Sequence, residues 1–254
     1  MIPTALDASG LVITALLFVT LVIRHLFFVE RREDVAWLLL VTLAAIPAGA
    51  VSQALLGVMG QHCTVRYDLY VFEIDRCFGS PSFALGKIVT AHHGLWVLLA
   101  TAYGLLIQAM LLTFAANVWL RGHRDGTRVL VAFLLNLFAA LPLYWLFPVS
   151  GPFYAFASFP NLPAQVAPHL IALTAPPNGV PSVHTSTALL VFWFLRHWQL
   201  GRVIGIVFLV LTVLATLGGG EHYLFDLLTA VPYTAAILWI TARLPQAQRE
   251  AVTV

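Results

Sequence analysis

The chain has 254 residues, of which 60% are hydrophobic and 9% charged, with a formal net charge of +2 and a mean hydropathy of +0.90. Soluble domains carry about 25% charged residues, so this composition excludes a soluble globular protein. It defines an integral membrane protein of the all-α class, for which no nucleic-acid partner is expected.

In chain order, seven stretches read as spans: Leu11–Phe28, Val35–Val58, Gly94–Leu120, Val129–Phe147, Thr185–Leu200, Val203–Leu217 and Leu224–Leu244. A span needs about 20 residues at 1.5 Å each, so the fifth and sixth must borrow from their flanks, with Arg196 and Arg202 snorkelling to the interface. The first stretch has no Lys or Arg before Arg24, unlike a secretory signal, and reads as a retained helix. No internal repeat or low-complexity linker divides the chain, so residues 1–254 form one membrane domain, with 1–30 as an additional N-terminal span before 35–244.

Basic residues set the orientation. With the N-terminus outside and the C-terminus in the cytoplasm, Arg24, Arg31, Arg32, Arg121, Arg124, Arg128, Arg196, Arg202, Arg243 and Arg249 all face inward. Only Arg66, Arg76 and Lys87 are left outside, which satisfies the positive-inside rule. The long loop Gln61–His93, the stretch "APPNGVPSVHTS" and the turn "GGGEH" then share the outer face.

That loop holds both cysteines, Cys63 and Cys77. An oxidising compartment permits a disulfide between them; two unpaired thiols are the alternative. A zinc site from Cys63, Cys77, His62 and His92 or His93 fits none of the compact ligand spacings. Tyr67, Tyr70, Val71, Ile74 and Phe78 recur at helical spacing, with Asp68, Asp75 and Arg76 elsewhere on the wheel, which suggests a short helix in the interface. Ser80 and Pro81 resemble an N-cap and first position of a second short helix through Lys87. These helices either roof a pocket or pack on the membrane surface.

Two polar clusters stand at span ends on the outer side. In "PSVH", Pro181 pushes Val180 out of the helical region, and Ser182 can cap the helix that His184 and Thr185 begin. The free N–H groups of such a first turn attract anions. In "GGGEHYLFDLL", His222 and Asp226 are four residues apart and share a face if the last span has begun by His222. A carboxylate so placed holds one ring nitrogen and leaves the other more nucleophilic. Either cluster alone also reads as ordinary boundary residues, and an i,i+4 pair adds only ~0.2–0.5 kcal/mol to a helix; together, facing one cavity, they read as a functional site. His62, His92, His93 and His169 read as interface residues, and Glu221 as a solvated neighbour.

"PSVH" (Pro181–His184), followed about forty residues on by "HYLFD" (His222–Asp226), resembles the second and third motifs of the type 2 phosphatidic acid phosphatase superfamily. Those motifs typically read P-S-G-H and S-R-x5-H-x3-D. The resemblance covers the last six spans and implies a six-helix phosphatase-like core. Three features depart from the family pattern. Ala215-Thr216 occupies the third-motif Ser-Arg position, "LFPVSGPFYAF" (Leu146–Phe156) contains no base where the first motif's Lys and Arg belong, and Val183 replaces the usual glycine. These departures resemble the branch containing inositol phosphorylceramide synthases.

Residue by residue, the resemblance implies that His222 attacks phosphorus, Asp226 orients it and His184 protonates the departing alkoxide, giving a phosphohistidine. Water or an alcohol completes the cycle. Ser182, Thr185 and the amides of their turn would hold the nonbridging oxygens, with Arg76 or Lys87 reaching in from the loop. This chemistry requires no cofactor or metal. The expected partners are a lipid phosphate or phospholipid, a hydroxyl acceptor and membrane lipids. The expected activity is head-group transfer from a phosphodiester lipid; the alternatives are a phosphatidic-acid-type or polyprenyl-phosphate phosphatase, and a catalytically silent scaffold or transporter. Twelve arginines against one lysine suggest a GC-rich genome, and hence a bacterial cytoplasmic membrane with the site facing the periplasm.

Overall fold

The computed structural model describes residues 32–164 and 167–243. The expected first span and the C-terminal tail beyond Arg243 lie outside these residues. Helix α1 (Arg32–His62) runs through the expected second span and contains Pro47. The loop that follows carries strand β1 (Val65–Arg66) and helices α2 (Asp68–Arg76) and α3 (Pro81–Ala91). Helices α4 (His93–Gly104), α5 (Leu106–Arg121), α6 (His123–Phe138) and α7 (Ala140–Leu146) come next, then the single turn α8 (Pro152–Ala155) and strand β2 (Ile171–Ala172). Three apolar helices close the fold: α9 (Val183–Leu195), α10 (Gln199–Gly218) and α11 (Leu224–Ala242).

Among the described residues, three stretches are long and apolar enough to cross a membrane: Asp125–Leu146, α10 and α11. A fourth is reached if α3 and α4, bent by 117° at their junction, count as one broken span. Helices α5 and α9 are apolar but shorter. This is an all-α membrane protein, with boundaries that differ from those expected in two places. The third span is interrupted at Leu105, between α4 and α5. The fifth stops at Leu195 and hands Leu200 to α10. Arg196 is the C-cap at that stop: its guanidinium donates to the Trp193 carbonyl and lies 3.4 Å over the Trp193 ring. A cation is thereby held at a helix C-terminus, where it is favoured.

The bundle core joins α5, α6, α9 and α11 through Phe114, Val118, Val129, Ala132, Phe133, Leu190, Val191 and Ile237. Helices α9 and α10 form a tight hairpin, close enough that a Cβ on Gly205 would sit 2.8 Å from the Phe192 Cα. At one end of the bundle the loop between α1 and α4 builds a roof. Phe72 of α2, Phe83 of α3 and Phe156 after α8 pack ring against ring at centroid distances of 4.7–5.5 Å. Leu69, Val71, Val149, Val180 and Tyr223 fill in around them. The antiparallel ribbon pairs Val65 with Ala172 and Arg66 with Ile171, fastening the loop to the segment that leads into "PSVH".

Helix α2 keeps its two acids on a different face from Tyr70 and Ile74. Asp68 and Asp75 are buried, while Tyr70, Ile74 and Phe78 are exposed. Ser80 does stand at the N-cap of α3, with Pro81 in the first turn, but at φ 51° its side chain makes no capping bond. The expected disulfide is not formed. Cys63 and Cys77 are free thiols, and the Cys77 Sγ turns to the Glu73 carbonyl at 3.6 Å.

Gly151 is the tightest approach between the roof and the motif turns. Its φ is +112°, and a Cβ there would stand 2.3 Å from the Glu221 carbonyl oxygen. Gly151→Ala is therefore expected to cost roughly 1–3 kcal/mol. Gly57→Ala, in open space on α1, should be neutral or slightly stabilising through helix propensity. Thermal unfolding of the purified variants in detergent checks the contrast; equal midpoints would refute the close-packing argument.

Candidate active site

Ser182 is the N-cap of α9. Its Oγ accepts from the Thr185 amide at 3.2 Å and donates to Thr185 Oγ1 at 3.1 Å, and both residues are buried. These two hydroxyls therefore hold the turn together instead of pointing outward. The Tyr144 hydroxyl donates to the Pro181 carbonyl at 3.0 Å. Asn136 Nδ2 donates to the Thr187 hydroxyl at 2.9 Å. Helix geometry leaves the Val183 and His184 amides without intrahelical acceptors.

The second cluster is built differently from the i,i+4 helical pair expected. Helix α11 begins at Leu224, with extended Tyr223 as its N-cap, so His222 precedes the helix. Asp226 is the third helical residue and folds back, its Oδ2 accepting from the Tyr223 amide at 2.9 Å and from His222 Nδ1 at 3.2 Å. A capping carboxylate thus doubles as the partner of the histidine. The His222 amide is tied to the Thr216 carbonyl at 3.3 Å across the glycine turn, so Thr216, where the family has arginine, helps shape that turn.

Both motifs meet. The Ser182 amide donates to the Asp226 carbonyl at 3.1 Å, and His184 Nδ1 lies 3.1 Å from His222 Nε2. On its other side His184 Nε2 lies 2.8 Å from the Tyr103 hydroxyl of α4. Asp226 and His222 are buried, and His184 is partly so.

Sequence reasoning missed the carboxylates that hold these turns. Asp68 Oδ1 accepts from the Gly151 amide at 2.8 Å and from the Tyr223 hydroxyl at 3.2 Å; Asp68 Oδ2 accepts from the Ser150 amide at 3.0 Å. Asp75 Oδ1 accepts from the Leu224 amide at 2.7 Å. Ser82 Oγ donates to the His222 carbonyl at 3.0 Å. Asp68 and Asp75 are seven residues apart, two helical turns on one stripe, and that spacing was the available signal. Burial pushes each carboxyl up to about 6, opposed by the amide donors.

The expected phosphate-binding bases are not brought together. Arg76 pairs with Glu73 on its own helix at 2.8 Å, and Lys87 is exposed. Arg66 is the buried base of the roof, but its fork is occupied. It donates from Nε to Ser150 Oγ at 2.9 Å, from NH1 to the carbonyls of Cys63 and Val65, and from NH2 to the Ala175 carbonyl at 2.5 Å. Glu221 proves more than a solvated neighbour: it accepts from the Tyr154 hydroxyl at 3.2 Å, and burial raises its pKa. His62, His92 and His169 each turn a ring nitrogen to a nearby backbone carbonyl at 2.8–2.9 Å, away from the site.

The fold and the site together define a helical membrane protein with a His–His–Asp cluster under a helical roof. A family model described as the PAP2 superfamily matches residues 67–240, and the chain belongs to this superfamily of type 2 phosphatidic acid phosphatases. No curated protein and no solved structure matches the chain. Members of the superfamily are phosphatases or phosphotransferases, which makes an enzyme of that type the supported class for this chain.

The raised carboxyls carry a pH signature. Asp68 and Asp75 hold a proton more tightly in the fold, at about 6, than at the ordinary 3.8. Their contribution to stability is complete below about pH 4 and is lost as pH rises through about 6. The difference in melting temperature between wild type and Asp75→Asn should therefore change across that window, the wild type losing more on going from low to neutral pH. Parallel curves would show that Asp75 does not titrate there.

Proposed function

We propose that the protein cleaves a phosphate ester of a lipid through a phosphohistidine on His222, and that it transfers a head group from a phosphodiester donor to a hydroxyl acceptor. The observation that carries this reading is the alignment of Asp226, His222 and His184, with His222 Nε2 facing His184 Nδ1 at 3.1 Å. With His222 Nδ1 donating to Asp226, Nε2 keeps its lone pair for phosphorus. The ester enters between the two rings. As the N–P bond forms and the P–O bond breaks, the departing alkoxide takes the Nδ1 proton of an imidazolium His184. In the second half the acceptor hydroxyl gives its proton back to that nitrogen while its oxygen attacks phosphorus and the N–P bond breaks. The first-turn amide of His184 is the proposed donor to the nonbridging oxygens.

Charge supports a diester over a monoester. A phosphomonoester carries nearly two charges at neutral pH, since its second pKa is about 6. Among the described residues no lysine or arginine hydrogen-bonds to His184, His222 or Asp226, Arg66 is spent on the backbone and Ser150, and the acid Glu221 stands next to His222. A monoanion suits such a site better. The missing arginine also favours the inositol phosphorylceramide synthase-like branch.

His222→Ala, His184→Ala and Asp226→Asn should each lower turnover by about 10²–10⁴-fold in protein that still folds. The assay offers a diester phospholipid with candidate alcohols, and phosphatidic acid in parallel. A new phospho-alcohol that disappears with His222→Ala sustains head-group transfer. Rapid phosphate release from phosphatidic acid alone supports a phosphatase instead, and full activity of His222→Ala sinks the mechanism.

The proposed topology is the seven-span arrangement, with residues 35–244 as the core, the site facing outward and, as the basic composition suggests, a bacterial cytoplasmic membrane. On a background lacking Cys63 and Cys77, an impermeant thiol reagent applied from outside should label a cysteine substituted for exposed His169 and miss one substituted for exposed Arg202. The opposite pattern would invert the orientation.

A further inference from the structure

Tyr103 belongs to neither motif. It lies on α4, 81 residues before His184, yet its hydroxyl is 2.8 Å from His184 Nε2 and its ring centroid is 4.6 Å from the imidazole. It completes a chain of hydrogen bonds: Tyr103, His184, His222 and Asp226, with successive contacts of 2.8, 3.1 and 3.2 Å.

The proton count along this chain has one solution when both rings are neutral and Asp226 is ionised. Asp226 only accepts, so His222 Nδ1 donates and His222 Nε2 carries the lone pair. His184 Nδ1 must then be the donor to His222 Nε2, which leaves His184 Nε2 as an acceptor. The group on that nitrogen therefore has to donate, and the Tyr103 hydroxyl does. When His184 becomes an imidazolium, Nε2 also carries a proton and needs an acceptor; the same hydroxyl turns and accepts. A hydroxyl serves both states, and an apolar ring serves neither.

We propose that Tyr103 is a positioning residue for the general acid: by holding His184 Nε2 in both protonation states, it reserves Nδ1 for the proton passed to the leaving group and recovered from the acceptor. This rests on the function proposed for His184 and extends it to a residue outside the motifs. The other titratable groups nearby are His222 from the turn before α11, Asp226 in the first turn of α11, Glu221 and Tyr154, which are electrostatic neighbours of Tyr103, and Tyr144 of α7. None of these bonds to His184 Nε2 among the described residues.

The test is Tyr103→Phe, which removes one oxygen and keeps the ring. Two donors are given to the full-length protein with one alcohol acceptor: a diacylglycerol phosphodiester lipid, whose leaving alkoxide needs a proton, and the matching 4-nitrophenyl phosphodiester, whose leaving group does not. Loss of this hydrogen bond should lower kcat on the alkoxide donor about tenfold, several times more than on the nitrophenyl donor, with KM little changed. A merely structural role would lower both equally, and that result would overturn the proposal. Independently of turnover, nitrogen NMR of ¹⁵N-histidine-labelled protein, assigned with His184→Ala, should find the His184 ring protonated on Nδ1 in wild type and in a mixture of tautomers in Tyr103→Phe. A wild-type ring protonated on Nε2 would also overturn it. If wild type turns over neither donor while the tautomer is as expected, the lipid-ester function fails and the positioning of His184 by Tyr103 stands.

Discussion

The site turns depend on one buried carboxylate. Asp226 caps α11 by accepting from the Tyr223 amide, holds the His222 ring through the same oxygen, and accepts from the Ser182 amide through its backbone carbonyl. One residue thus sets the start of α11, the orientation of His222 and the docking of the "PSVH" turn against it. A buried carboxylate is costly unless its hydrogen bonds are made; here Oδ2 takes both the Tyr223 amide and the His222 ring, while Oδ1 has no partner among the described residues.

Asp68 and Asp75 repeat this arrangement one layer out. Each is buried on the inner face of α2 and accepts from the backbone amides of a motif-bearing turn or its neighbour: Ser150 and Gly151 in one case, Leu224 in the other. Helix α2 is therefore a brace as well as a roof. Its two acids clamp the segment after α7 and the start of α11, while the aromatic cluster of Phe72, Phe83 and Phe156 excludes water above them. Arg66 completes the brace by spending its donors on Ser150 and on backbone carbonyls.

The same economy shapes the electrostatics. The basic residues of the loop serve structure or solvent, Ser150 accepts from Arg66, Thr216 donates to the Val213 carbonyl, and Glu221 adds an acid beside His222. Family membership gives the class of chemistry; the distribution of charge around the two histidines supports the choice of a singly charged ester within it.

Much of this was legible in the sequence because it depends on local properties. Hydropathy marked an all-helical membrane protein, and side-chain type and spacing marked Ser182 as a cap and His184, His222 and Asp226 as one group. What the linear pattern did not contain was anything built by contact across the chain. The pairing of His222 with Asp226 arises from a cap ahead of the helix and not from a shared helical face. The burial of Asp68 and Asp75, the occupation of Arg66 by Ser150 and the approach of Tyr103 to His184 all depend on segments 80 to 155 residues apart meeting at one end of the bundle. A tyrosine in an apolar helix, or an aspartate on a short amphipathic one, looks ordinary until the tertiary structure supplies its partner, because hydrogen bonds between distant elements leave no periodicity in the residues that make them.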